Sequence, residues 1–188
     1  MSFLINPFAF AVAGGDFESI ATVTVGSGGA ANIQFTSIPS TFAHLQVRLL
    51  ARSSYSQSED SPGVRFNSDT GSNYSFHYLL GNGSSTVAGG DPNRTSINLI
   101  QHVAGNTALS NVFGSAVVDI LDYSDTSKKT TLRSIGGRDN NGSGGSAIGS
   151  GLWNNTSAVT SILIYPAGVS GNNWLEHSTA ALFGVKAP

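Results

Sequence analysis

Residues 44–52 read His44-Leu45-Gln46-Val47-Arg48-Leu49-Leu50-Ala51-Arg52. Leu45, Val47, Leu49 and Ala51 recur at every second position, and His44, Gln46, Arg48 and Arg52 fall between them. A period of two sends alternate side chains to opposite faces of an extended chain, so this stretch is a strand with one face on a core. A helix would need a period of 3.6, and no stretch of twelve residues sustains one without a Gly or Pro break.

The same short alternation continues on both sides, between clusters of Gly, Ser and Asn. Upstream are FESIATVTV (17–25) and ANIQFTSI (31–38), the latter with Ile33, Phe35 and Ile38 inward. Downstream come GVRFNS with Val64 and Phe66, NYSFHYLLG with Phe76, Tyr78 and Leu80, and TSINLIQHV. FGSAVVDILDY follows, alternating Ala116, Val118 and Ile120 against Ser115, Val117 and Asp119, and SDTSKK turns the chain into TTLRSIGG. SAIGSGLW, AVTSILIYP and STAALFGVK complete about eleven strands; NTALSNVFG reads as one helical turn at most. Residues 54–63, 81–94 and 136–151 are poor in apolar side chains and read as surface loops. Many short strands with turn signals predict an all-β domain. Several long connections favour a jelly-roll-like antiparallel β-sandwich over a lipocalin-like barrel with tight hairpins. The expected organisation is an N-terminal arm, residues 1–15, followed by one sandwich, residues 16–188.

Charged residues make up 11% of the 188, against about 25% in an average domain. Ser, Thr, Asn and Gly take their place, which suits a β-rich shell. The net charge of −2 and the lack of a Lys/Arg cluster argue against a nucleic-acid partner. Without cysteine there is no disulfide or thiolate metal site. Hydrophobic residues are 39% and no apolar run reaches about 20 residues, so no membrane span is expected.

The first thirteen residues, MSFLINPFAFAVA, carry no charge. A secretory signal needs a basic start and an unbroken apolar stretch. Here no Lys or Arg precedes Arg48, and Asn6-Pro7 breaks the run. Phe3, Leu4, Ile5, Pro7, Phe8 and Phe10 therefore read as a docking arm for a partner chain, hinged at Gly14-Gly15.

Catalytic and metal signatures are missing from the sequence. His44, His77, His102 and His177 fall in four different segments without metal-ligand spacing, and each reads as a solvated strand histidine. No G-x-S-x-G elbow occurs. Glu59-Asp60 reads as a solvated loop pair, and Asp122 and Asp125 as turn caps. NSDTGSN (67–73) and DNNGSGG (139–145) imitate calcium loops, but each holds one carboxylate and reads as a turn. No metal, cofactor or enzymatic activity is expected.

FESIATVTVGSGGAANIQFTSIPSTFAHLQVRLLARS, VRFNSDTGSNYSFHYL, VVDILDYSDTSKKTTLRSIGG and SGLWNNTSAVTSI together resemble a group of bacteriophage proteins. The group is common in tailed phages of marine and freshwater bacteria, including cyanophage-like ones, and its members are virion structural proteins. The resemblance spans nearly the whole chain, and INPFAF is similar to the apolar start of other members. It implies a non-enzymatic virion component, either capsid decoration or head fibre, or a tail-fibre-associated protein, attached to other virion proteins by its arm. The alternative is a tail-fibre module that binds a host surface glycan or receptor, with Tyr55, Tyr74, Trp153 and Trp174 as exposed rings over a sugar. With only three lysines to guard sheet edges, a homo-oligomer is expected, a trimer by analogy with jelly-roll virion proteins.

Overall fold

The computed structural model describes residues 16–186. Among these the regular structure is entirely β. In chain order the strands are β1 (Phe17–Thr24), β2 (Ile33–Phe35), β3 (His44–Ala51), β4 (Glu59–Asp60), β5 (Pro62–Phe66), β6 (Tyr74–Gly81) and β7 (Thr86–Arg94). They continue with β8 (Ile97–Asn98), β9 (Val103–Ala104), β10 (Gly114–Leu121), β11 (Thr130–Asp139), β12 (Gly144–Trp153), β13 (Ile162–Pro166) and β14 (Thr179–Val185).

Eight strands form one antiparallel sheet in the order β1-β14-β3-β10-β11-β12-β6-β7. A four-stranded sheet, β2-β13-β5-β8, covers part of one face, and the pair β4-β9 lies beside it. The all-β antiparallel sandwich expected from the alternation is what the chain forms. Its two main layers are unequal, eight strands against four, whereas a jelly roll shares eight strands between two sheets.

The core follows the period of two. Leu45, Val47, Leu49 and Ala51 of β3, with Ala116, Val118 and Ile120 of β10, face Ile33, Phe35, Val64, Phe66, Ile162 and Ile164 of the smaller sheet. Each large aliphatic side chain buried there contributes about 1.5–3 kcal/mol. Tyr123 closes one end; its hydroxyl accepts from Phe42 N–H at 3.4 Å and donates to the Pro39 carbonyl. Of the two caps expected on the β10–β11 turn, Asp125 forms and Asp122 does not: the Asp122 carbonyl accepts from Asp125 N at 3.0 Å, while its carboxylate accepts from Lys128 Nζ at 2.7 Å. Asp125 Oδ1 accepts from Ser127 Oγ at 2.6 Å and Ser127 N at 2.8 Å, which lowers the Asp125 carboxyl to about 2.

Two stretches expected as loops are strands. β7 lies within 81–94 as an edge strand exposed along nearly its whole length. It has no apolar face to alternate, and its glycines make room for neighbours: a Cβ on Gly89 would sit 2.8 Å from the Tyr78 hydroxyl, and one on Gly90 2.3 Å from the His77 ring. Residues 136–151 are mostly paired as β11 and β12, joined through Asn140–Ser143. Asn141 (φ 52°) and Gly142 (φ 109°) both adopt positive φ, the requirement of a tight hairpin turn. The segment 95–103, expected as one strand, splits into β8 and β9 in different sheets, with Gln101 at φ 52° between them. Residues 106–113, ahead of β10, form turns and irregular chain without a helix.

Candidate functional site: the outer face of the large sheet

Because inner positions alternate with outer ones, the face of the large sheet turned away from the core is set by register. Val117, Ile135, Ile148, Leu79 and Ala88 are successive cross-strand partners on β10, β11, β12, β6 and β7. At about 4.8 Å between strands they make an apolar row roughly 19 Å long. Ile135 is 60% exposed, Ile148 52% and Leu79 45%. Leu50, opposite Ser115 on this face, is also exposed. No described residue covers the row.

The polar side chains flanking it form one ladder. Asp119 accepts from Arg133 Nε at 3.0 Å and from Gln46 Nε2 at 2.9 Å; Gln46 Oε1 accepts from Arg48 Nε at 3.0 Å. The Arg48 guanidinium lies 4.9 Å from the Phe183 ring centroid. Asp119 and Arg133 cancel, while Arg48 meets only the Gln46 amide and the Phe183 ring, so the ladder keeps one net positive charge and the face suits a largely apolar partner.

The residues proposed for binding are distributed differently. Phe3, Leu4, Ile5, Pro7, Phe8 and Phe10 lie outside the described residues. Of the four rings expected over a sugar, Tyr74, Trp153 and Trp174 are buried and offer no face to a ligand. Tyr74 stacks on Trp153 with centroids 6.4 Å apart, and Trp174 Nε1 donates to the Ile164 carbonyl at 3.1 Å. Burial pushes the Tyr74 hydroxyl up to about 12. Only Tyr55, half-buried, borders a surface concavity.

The calcium-like stretch 67–73 holds a saturated carboxylate. Asp69 accepts from Trp153 Nε1 at 2.8 Å, Asn73 Nδ2 at 2.9 Å and Gly71 N at 2.8 Å. The Trp153 donor is the main reason its carboxyl lies below the usual range. Asp139 Oδ1 likewise accepts from Asn141 N at 2.8 Å. No group of three His, Cys, Asp or Glu suited to a metal occurs among the described residues.

Two polar residues depart from the solvated reading. His102 is fully buried: β9 lies across the inner face, and Gly114 and Gly136 leave room for His102 and its ring. Asp60 is 2% exposed, because its strand pairs with β9. Neither stretch alternates long enough for sequence periodicity to mark it as inward.

No family model matches the chain, and a search of curated proteins finds no match.

Proposed function

We propose that this chain is a non-enzymatic structural protein of a bacteriophage particle, displayed on the virion surface as capsid decoration or head fibre. Residues 1–15 attach it to other virion proteins, and copies of the chain associate through the outer face of the large sheet. The observation that carries the reading is the exposed row Val117–Ile135–Ile148–Leu79–Ala88. Resemblance to phage structural proteins supplies the setting.

The occupant we assign to the face is a second copy of the chain. Eight strands at about 4.8 Å, each with about seven residues at 3.4 Å, give a face of roughly 800 Å². That is about what each partner buries in a standard stable interface. Asp119 and Arg133 already pair within one chain, and the Arg48 guanidinium lies against the Phe183 ring, so a like face brings a single unpaired cation and no large charge to oppose it. Closed symmetry is the usual outcome for identical subunits, and a face that meets its own copy is isologous and closes as a two-fold pair, in place of the trimer expected by analogy with jelly-roll virion proteins.

Two measurements test this. Mass spectrometry of purified particles encoding the chain should find it at structural copy number; its absence overturns the virion role. Native mass spectrometry of the full-length protein should show an oligomer that Ile135→Lys with Ile148→Lys converts to monomer at unchanged far-UV circular dichroism. A wild-type monomer, or an oligomer indifferent to both lysines, overturns the assembly face.

A further inference from the structure

The Asp60 carboxylate lacks partners that its burial calls for. Oδ1 accepts from Ser61 N at 2.7 Å and Gly168 N at 2.8 Å. Oδ2 is buried and has no hydrogen-bond partner, and no Lys, Arg or His forms an ion pair with Asp60 among the described residues. Buried acceptors are almost always satisfied, so an orphaned carboxylate oxygen points to a missing donor.

Asp60 borders a concavity of about 310 Å³, at the small end of ligand pockets. Around it stand Tyr55, Gln57, Gln101 and Gly168. The frame is held rigidly. Asn106 N donates to the Tyr55 carbonyl at 2.6 Å, Thr107 N to that of Gln57 at 3.1 Å and Gly105 N to that of Ser58 at 3.1 Å. Gln101 N is tied to Ser61 Oγ at 3.0 Å. Gly168 fits flush: a Cβ there would lie 2.6 Å from the Tyr55 ring and 2.7 Å from Asp60 Oδ1. The Tyr55 hydroxyl makes no hydrogen bond among the described residues, so no polar tether opposes the turn of this ring off Gly168 that would bring a donor to the buried Oδ2.

The lining selects the chemistry. Glu59 also faces the concavity, but its Oε2 accepts from Arg138 Nη2 at 2.7 Å. Arg138 also donates to the carbonyls of Ser58 and Gln101, which leaves it little capacity to receive an anion. The uncancelled charge is that of Asp60, which repels anions and accepts only from O–H or N–H. Two amides offer both donors and acceptors, and an aromatic ring offers an apolar surface. We propose that this concavity binds a neutral saccharide, with Asp60 Oδ2 accepting from a sugar hydroxyl and Tyr55 lying against the ring. The site is independent of the assembly face and adds glycan recognition to a structural subunit.

The test uses the full-length protein on an array of neutral hexose and N-acetylhexosamine oligosaccharides beside sialylated and sulfated ones. Calorimetry follows with the best-bound neutral oligosaccharide, and calcium chloride is titrated separately. Binding confined to neutral glycans is expected. Asp60→Asn and Tyr55→Ala should each weaken it at least tenfold, with Tyr55→Ala melting like the wild type. An array without signal, a preference for anionic glycans, or affinity unchanged in Tyr55→Ala overturns the proposal. Calcium binding that Asp60→Asn abolishes, with no saccharide bound, assigns the orphaned oxygen to a cation instead and also overturns it.

Discussion

His102 shows how a single buried side chain sets a pH limit. Its Nδ1 lies 2.8 Å from the Ile100 carbonyl, so Nδ1 carries the proton, and Nε2 is buried without a partner. Protonating Nε2 would place an N–H where nothing accepts it, and burial lowers the pKa below the ordinary 6.5. The unfolded chain takes up this proton near 6.5 while the folded chain does not. Stability from His102 is therefore complete above pH 6.5 and declines as pH falls through 6.5 toward the folded value. Urea unfolding should show a lower midpoint at pH 5 than at pH 7.5, and the difference should shrink in His102→Gln; an unaltered slope in that variant would discount the assignment. Arg52 is the other buried polar anchor. Its guanidinium donates to the carbonyls of Leu109 (2.6 Å), Ala108 (2.9 Å), Asn106 (3.0 Å) and Val112 (3.0 Å), tying residues 106–112 to the end of β3. Arg52→Met leaves those carbonyls without their donor and should cost about 3 kcal/mol, or about 6–12 °C in Tm. Lysine cannot reproduce the fork, so Arg52→Lys should recover less than half of that loss in a thermal melt.

At the scale of elements, the β11–β12 hairpin shows how glycine hides a strand. Gly136, Gly137, Gly144, Gly145, Gly149 and Gly151 all lie in paired positions. A glycine has no side chain to report which face it occupies, so the alternation that exposes β3 is erased here. Their contacts explain them: a Cβ on Gly137 would meet the Gly145 carbonyl at 2.2 Å, and one on Gly151 the Ile97 side chain at 2.5 Å. Asn141-Gly142 was the legible signal in this stretch, a dipeptide suited to a two-residue turn with both φ positive. Gly142→Val forces a β-branched residue to φ 109° and should cost about 1–3 kcal/mol. The cost should appear as a Tm loss of about 2–12 °C. A melt within 1 °C of wild type would mean that the turn relaxes to another form.

At the scale of the whole molecule, the smaller sheet packs on one face of the large sheet while no described residue covers the apolar row on the other, and this asymmetry underlies the assembly proposal. Attachment by the apolar N-terminal segment is a separate claim. Deleting residues 1–15 should leave a soluble protein with a wild-type β spectrum that no longer joins particles; a deletion variant that fails to fold would place the segment in the core. Amino-acid order alone determined the all-β class, the inward rows of β3 and β10 and the capped β10–β11 turn. In each, a period of two or a local side-chain bond is decided within a few residues. Tertiary structure alone decided the division into eight and four strands, the strand character of β7, and the burial of Tyr74, Trp153 and Trp174. It also decided the burial of His102 and Asp60. Which sheet a short strand joins, and whether a ring or a carboxylate meets water there, depends on residues distant in the chain, and local periodicity carries no record of them.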